Sequence, residues 1–309
     1  MEGLKLIFQL LLFLYKFAGM NIKPSFWFLM LIFIAGSVAS AIANHSANDS
    51  TSNNSNSDSL AERIYTVGLD YGSNQSFKGR NTGQRQPYYS PNFNYQAKSG
   101  FFTFVSITNN ITSKSDTTMQ AREAKKNSID EWQINPGYNF DIEKNTTASI
   151  SFTHYFVNDT ALINAGIKNN IDYYMDHDFK IVNEKLSLDL DWGTQTDFSI
   201  ALETYHSFDL ENLFTEDNDM LSFIPGFTIT AGTQNFYVTK EAARRRLRAV
   251  TTSTTTFNII AFDLILPLAY NIGDFTIEPA FNYSAALNQP VGLQTKPFGY
   301  VTVALTYDF

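Results

Sequence analysis

From Ile64 to the last residue, apolar and polar side chains alternate with a period of two, the signature of strands with one apolar and one polar face. The final segment is the cleanest. Val301, Val303, Leu305, Tyr307 and Phe309 lie on one face, with Thr302, Ala304, Thr306 and Asp308 on the other. Leu186, Leu188, Leu190 and Trp192 alternate with Ser187, Asp189 and Asp191, and Ile150, Phe152, His154 and Phe156 with Ser149, Ser151, Thr153 and Tyr155. Ile260, Phe262, Leu264, Leu266, Leu268 and Tyr270 are expected on one face, against Ala261, Asp263 and Asn271. Only Phe101–Ile107 leaves its facing open, because apolar residues fall on both sides.

The alternation predicts strands near 62–74, 88–98, 100–110, 129–142, 146–157, 168–181, 185–193, 197–207, 220–231, 257–272, 274–286 and 298–309, about twelve in all. Short connections at 97–100, 143–145, 182–185 and 273–274 mostly alternate with longer polar ones at 75–87, 111–128, 158–167, 232–256 and 287–297. They therefore fall at opposite ends of an up-and-down antiparallel sheet. Two connections depart from the rule: 207–219 is longer than expected, and 193–196 is shorter.

A soluble sandwich also alternates, but three features favour a transmembrane β-barrel. No Lys or Arg stands at a mid-strand apolar position, where lipid exposure costs roughly 2–4 kcal/mol. Tyr89, Tyr95, Trp132, Tyr138, Trp192, Tyr270 and Tyr283 gather near strand ends, where amphipathic rings meet a membrane interface. The opposite face is too polar for a sandwich core and suits a hydrated lumen. Closure also removes the strand edges that lipid cannot satisfy.

The chain's start carries a different signal. Met20–Lys23 is a short positive stretch, Phe26–Val38 an apolar one, and Ala39–Ala43 offers small-residue cleavage sites, the parts of a secretory signal. Residues 1–43 are therefore expected to be removed, with Met20 as an alternative start. Residues 44–61, rich in Asn and Ser, cannot bury enough apolar surface to order themselves and read as a polar linker ahead of a barrel over 62–309.

Composition narrows the function. With 44% hydrophobic residues, 17% charged, 27 Phe and 16 Tyr, the chain is lightly charged and rich in aromatics. It has no cysteine, which removes disulfides, thiolate zinc sites and cysteine nucleophiles. A net charge of −8 argues against nucleic-acid binding, which needs a basic face.

Phe309, Tyr307, Leu305 and Val303, an aromatic end preceded by alternate apolar residues, resemble the C-terminal assembly signal of Gram-negative outer-membrane β-barrels. The stretch Tyr88–Tyr95 followed by Lys98–Gly100 is similar to porin-like barrels of this type. The resemblance implies an integral outer-membrane location and insertion by the barrel-assembly machinery.

Covalent chemistry finds little support. Twelve-stranded outer-membrane phospholipases place His and Ser two residues apart on one strand. Here Phe152 and Phe156 flank His154 at that spacing, and Ser207 directly follows His206, so alternation separates them. His154 and His177 share the apolar face, but the hairpin register pairs His154 with about residue 171, so no metal pair is expected. No metal site, cofactor motif or enzymatic activity is expected.

Alternation sends Asp172, Asp176, Asp178, Lys180, Asp189, Asp191, Glu203, Asp263 and Glu278 to the lumen, an acidic wall that would favour cationic or neutral solutes. One long connection is basic, with Arg244, Arg245, Arg246 and Arg248. It could plug the lumen, bind lipopolysaccharide or simply be solvated. The expected function is a narrow passive channel for small hydrophilic solutes. The alternative is a non-conducting structural or surface-interaction barrel acting through its extracellular loops. Membrane lipid is the expected surrounding partner in either case.

Overall fold

A computed structural model describes residues 64–81, 85–111, 129–158, 166–213, 219–236, 256–289 and 295–309. The expected leader (1–43), the linker to residue 61 and the basic loop with Arg244–Arg246 and Arg248 lie outside these residues.

Among the described residues, fourteen strand segments form one antiparallel sheet: β1 (Ile64–Gly72), β2 (Tyr88–Gln96), β3 (Phe101–Asn110), β4 (Glu131–Glu143), β5 (Thr146–Val157), β6 (Ile167–Asp178), β7 (Asn183–Gly193), β8 (Thr196–Tyr205), β9 (Phe208–Glu211), β10 (Asp219–Phe223), β11 (Gly226–Gly232), β12 (Asn258–Ile272), β13 (Phe275–Ala286) and β14 (Phe298–Asp308). Each main strand pairs with the next, β8 with β11, β11 with β12, and β14 back with β1, so the sheet closes into an all-β barrel. The wall has twelve staves, as the alternation predicts. Two of the staves are interrupted, which accounts for the two extra segments.

The interruption explains the long connection at 207–219. The β8–β11 register, Tyr205 opposite Gly226, continues without a shift into β9–β10, with Phe208 opposite Phe223. Pro225 has no amide hydrogen to donate and marks the break, while His206 N–H still donates to its carbonyl at 3.3 Å. The connection is thus one long hairpin whose tip extends past the neighbouring β6–β7 turn. The unusually short connection at 193–196 is a tight turn between β7 and β8 at the opposite end of the barrel.

The faces follow the alternation closely. Val67, Leu69, Phe93, Ile134, Phe152, Ile171, Leu190, Phe227, Phe281 and Val301 are exposed on the outside of the wall. In a soluble protein, an apolar surface of this extent would be an association or aggregation surface; around a closed barrel it matches a hydrocarbon belt. β3 resolves its ambiguity through register. Val105 pairs with outward Phe93 and Ile134, so Phe102 and Phe104 point inward. One expectation needs correcting. Ile260 does not face outward; it is the extra residue of a β-bulge opposite Thr230–Ala231 and is 1% exposed.

The seam between β1 and β14 is sealed at its end by Tyr65 and Phe309. Their backbones exchange hydrogen bonds of 3.1 and 2.9 Å, and their rings stack with centroids 6.0 Å apart. Leu305 and Tyr307 share the outward face with Phe309, while Val303 stands opposite Tyr71 across the same seam.

Candidate functional site

The inward side chains of β6, β7 and β8 form three cross-strand rows, and each row treats its carboxylates differently. Asp176, Lys185 and Glu203 make the first. Lys185 sits between two acids and over the Tyr174 ring, 4.5 Å from its centroid, and Tyr205 O–H donates to Asp176 Oδ2 at 2.6 Å. Asp172, Asp189 and Ser199 make the second row, in which two carboxylates stand directly opposite each other. Ser199 Oγ donates to Asp189 Oδ2 at 3.1 Å. Asn170, Asp191 and Asp197 make the third, with Asn170 Nδ2 donating to Asp191 Oδ1 at 2.9 Å.

The third row receives a cation from across the barrel. After β1 the chain does not project away; residues 77–80 form a tight two-residue turn, with Phe77 N–H donating to Arg80 O at 2.8 Å and Arg80 N–H to Phe77 O at 3.1 Å. Lys78 and Gly79 both adopt positive φ, as a primed hairpin turn requires of its central pair. This turn lies inside the barrel. Ser76 Oγ donates to Ser284 Oγ of β13 at 3.2 Å, and Gly79 packs so closely that an added Cβ would come within 2.7 Å of Ala285 O and 2.8 Å of Ala261 Cβ. From the turn, Lys78 Nζ reaches Asp191 Oδ2 at 2.7 Å and Ser199 Oγ at 2.8 Å. β7 stands halfway round the ring from β1, so the loop that leaves β1 is tied by this ion pair to the opposite stave. Arg80, 2% exposed, anchors the turn at its base: Nη1 donates to Lys78 O at 3.0 Å and Nη2 to Gln234 Oε1 at 2.5 Å.

A second loop is fixed at the same end. Asp197 accepts the backbone N–H groups of Asn235 and Phe236 at 2.8 and 2.9 Å and the Thr233 hydroxyl. Its carboxylate therefore anchors the segment that leaves β11 and is not free to face solutes.

Beside the Lys78 bridge lies a cavity of about 640 Å³, bounded by β2 to β7. Its wall changes character from strand to strand: Asn94 and Gln96 on β2, Phe102 and Phe104 on β3, Gln133, Asn135 and Asn139 on β4, hydroxyls on β5, and Asp172, Asp189 and Asp191 on β6 and β7. Gly137 makes room for the inward Phe102 ring, whose Cζ lies 2.2 Å from where a Cβ would stand.

The sequence-derived lumen residues divide accordingly. Asp172, Asp176, Asp189, Asp191 and Glu203 come together on the β6–β8 wall. Asp263, which accepts from Ser284 Oγ, and Glu278 face inward on β12 and β13, away from the cavity. Lys180 is not on the wall: it occupies the β6–β7 turn at positive φ, exposed, and its N–H donates to the Asp178 carboxylate at 2.5 Å. The strand ends at Asp178, so alternation carries no meaning beyond it, and Asp178 itself is an exposed rim residue. Sequence reasoning missed Lys78, Arg80, Lys185, Asp197 and the inward rings of β3. The Lys78-Gly79-Arg80 triplet inside a polar connection was the signal available for the first two.

His154 and His177 take structural places on the outer face. His154 pairs with Asn169 and His177 with Thr146, so the hairpin centre lies one residue earlier than expected and the two rings stay apart. The Asn169 amide, with N–H toward His154 Nδ1 at 2.7 Å, accepts from Trp192 Nε1 at 3.0 Å. Trp132 stacks on Phe156 with centroids 3.5 Å apart, and His154 meets Phe156 edge-on. Ser207 donates to Asp209, not to His206. Among the described residues, no three His, Asp or Glu side chains gather as a metal site requires.

No protein-family model and no curated protein matches the sequence. Among solved structures, the chain is similar to the KdgM porin (TM-score 0.44, 7% identity, 79% of this chain and 99% of that one). It is similar to LpxR from Salmonella typhimurium (TM-score 0.48, 7% identity, 78% and 99%) and to an outer membrane channel from Pseudomonas putida F1 (TM-score 0.42, 10% identity, 80% and 95%).

Proposed function

We propose that the chain is an outer-membrane channel for passive movement of small hydrophilic solutes, cationic or neutral, exported by the signal in residues 20–43. The observation that carries this reading is the polar cavity inside the barrel, with Asp172 and Asp189 directly opposite each other on its wall. Fixed carboxylates in a narrow aqueous space concentrate cations and repel anions over a Debye length of about 8 Å. Val303, Leu305, Tyr307 and Phe309 suit delivery to the barrel-assembly machinery, and Arg244–Arg246 and Arg248 suit lipopolysaccharide. The test is planar-bilayer recording on refolded protein under a salt gradient. A reversal potential favouring cations is expected; one favouring anions refutes the reading.

A second reading has its own observation. The Lys78–Asp191 bridge, with Arg80 buried behind it, ties a loop across the lumen, as a barrel that does not conduct would have it. In that case the barrel acts through its extracellular loops. Absence of unitary currents from protein that shows heat-modifiable migration on gels selects this alternative.

A further inference from the structure

We infer that the cavity between β2 and β7 is a binding site for an uncharged saccharide of one or two rings, a ligand class that rests on, and sharpens, the channel reading. A pyranose ring is amphipathic in a particular way: its C–H faces are apolar and its rim carries hydroxyls. The cavity wall has the matching arrangement. Phe102 and Phe104 form an apolar strip on β3, and a carboxamide strip borders it on each side: Asn94 and Gln96 on β2, Asn135 and Asn139 on β4. The register sets these side by side, with Phe104 directly opposite both Asn94 and Asn135. Carboxamides both donate and accept, as hydroxyl groups require. Aromatic rings inside a hydrated lumen gain nothing from water, and Gly137 leaves the space that Phe102 fills.

A second, independent observation points to an occupant. Asn139 and Ser149 are direct cross-strand partners, and both line the cavity. Asn139 Oδ1 and Ser149 Oγ are buried with no hydrogen-bond partner, and Ser149 is only 1% exposed. Adjacent polar atoms left unpaired in a native wall call for a partner from outside the protein. Rotation of the Asn139 amide or the Ser149 hydroxyl toward the lumen would bring either within reach of a ligand hydroxyl. The volume, about 640 Å³, falls in the range that holds small ligands. Asp172 and Asp189 on the far wall set the charge preference, disfavouring a sugar acid of the same size.

Isothermal titration of the full chain, refolded in detergent, against maltose, glucuronate and tetramethylammonium tests this directly. Saturable maltose binding is expected, with glucuronate at least about tenfold weaker, the size of a single unfavourable charge contact. Phe104→Ala should weaken maltose binding about fivefold, the scale of a lost ring contact, and Ser149→Ala should weaken it less. Both variants should keep heat-modifiable gel migration, which establishes that they fold. Absence of saturable maltose binding, equal binding of glucuronate, or tighter binding of tetramethylammonium overturns the inference. Titration reads binding without passage, so the two readings fail separately: maltose binding without unitary currents sinks the channel alone, and currents without maltose binding sink the site alone.

Discussion

The two halves of the inner wall solve the same problem in opposite ways. On the β12–β13 side Ala261, Ala280 and Ser284 are small and almost wholly buried, and the Phe77–Arg80 turn with the preceding Ser76 lies against Ala261 and Ser284. On the β2–β7 side Phe102, Phe104, Tyr155, Tyr174 and three carboxylates stand among smaller polar groups around open space. Twelve staves enclose more room than wall side chains alone fill, so something must occupy it or leave it to water. Here a loop takes one half and a polar cavity the other. The small residues of β12 and β13 decide which half the loop takes, and Lys78, spanning to Asp191, fixes how far across it reaches.

Replacing Gly79 by Val should disturb this division most. A side chain at φ +77° costs about 1–2 kcal/mol in backbone strain alone. The new Cβ would also press on the Ala285 carbonyl. The turn should leave its seat, and unitary conductance should rise; unchanged conductance would mean that the turn does not restrict the lumen. Lys78→Met should come next, destabilising by about 1.5–3 kcal/mol because Asp191, 3% exposed, loses a charged partner. The double variant with Asp191→Asn should recover part of that loss, which a thermodynamic cycle on thermal unfolding measures. Ala261→Leu attacks the same seat from the wall. Overpacking should cost about 1–3 kcal/mol and raise conductance in the same direction as Gly79→Val. On the open half, Asp172→Asn should change stability by no more than about 0.5 kcal/mol, since it relieves a like-charge pair. It should instead move the reversal potential toward anions. If Asp172→Asn destabilised as strongly as Lys78→Met, the two halves would not differ in the way described.

Much of this fold was legible because a closed sheet in lipid leaves few options. Once the outward face must be apolar, the period of two fixes the inward residues, and Asp172, Asp189, Asp191 and Glu203 fall where alternation puts them. The reading stopped where alternation stops. Lys180 sits beyond the last ladder pair of β6, and Ile260 sits in a bulge; neither position has a parity to read. β3 could not be assigned from its own residues, since Phe101, Phe102, Phe104 and Val105 put apolar groups on both faces, and only its neighbours' register decides. The Lys78–Asp191 pair was out of reach for another reason. It joins positions 113 residues apart that meet only because closure puts β7 opposite β1. A polar connection reads as an outer loop until the small residues waiting for it inside are known.

The cluster at the loop end of β4–β7 has an optical consequence. Of the chain's three tryptophans, Trp27 belongs to the leader expected to be removed, and the other two both stand in this cluster. Trp132 lies flat on Phe156, and Trp192 donates its indole N–H to Asn169. Ultraviolet emission from the mature barrel would then come from one short arc of one rim. Lipids brominated at known depths would quench it according to how deep that arc sits, making the protein its own gauge of immersion without an added dye.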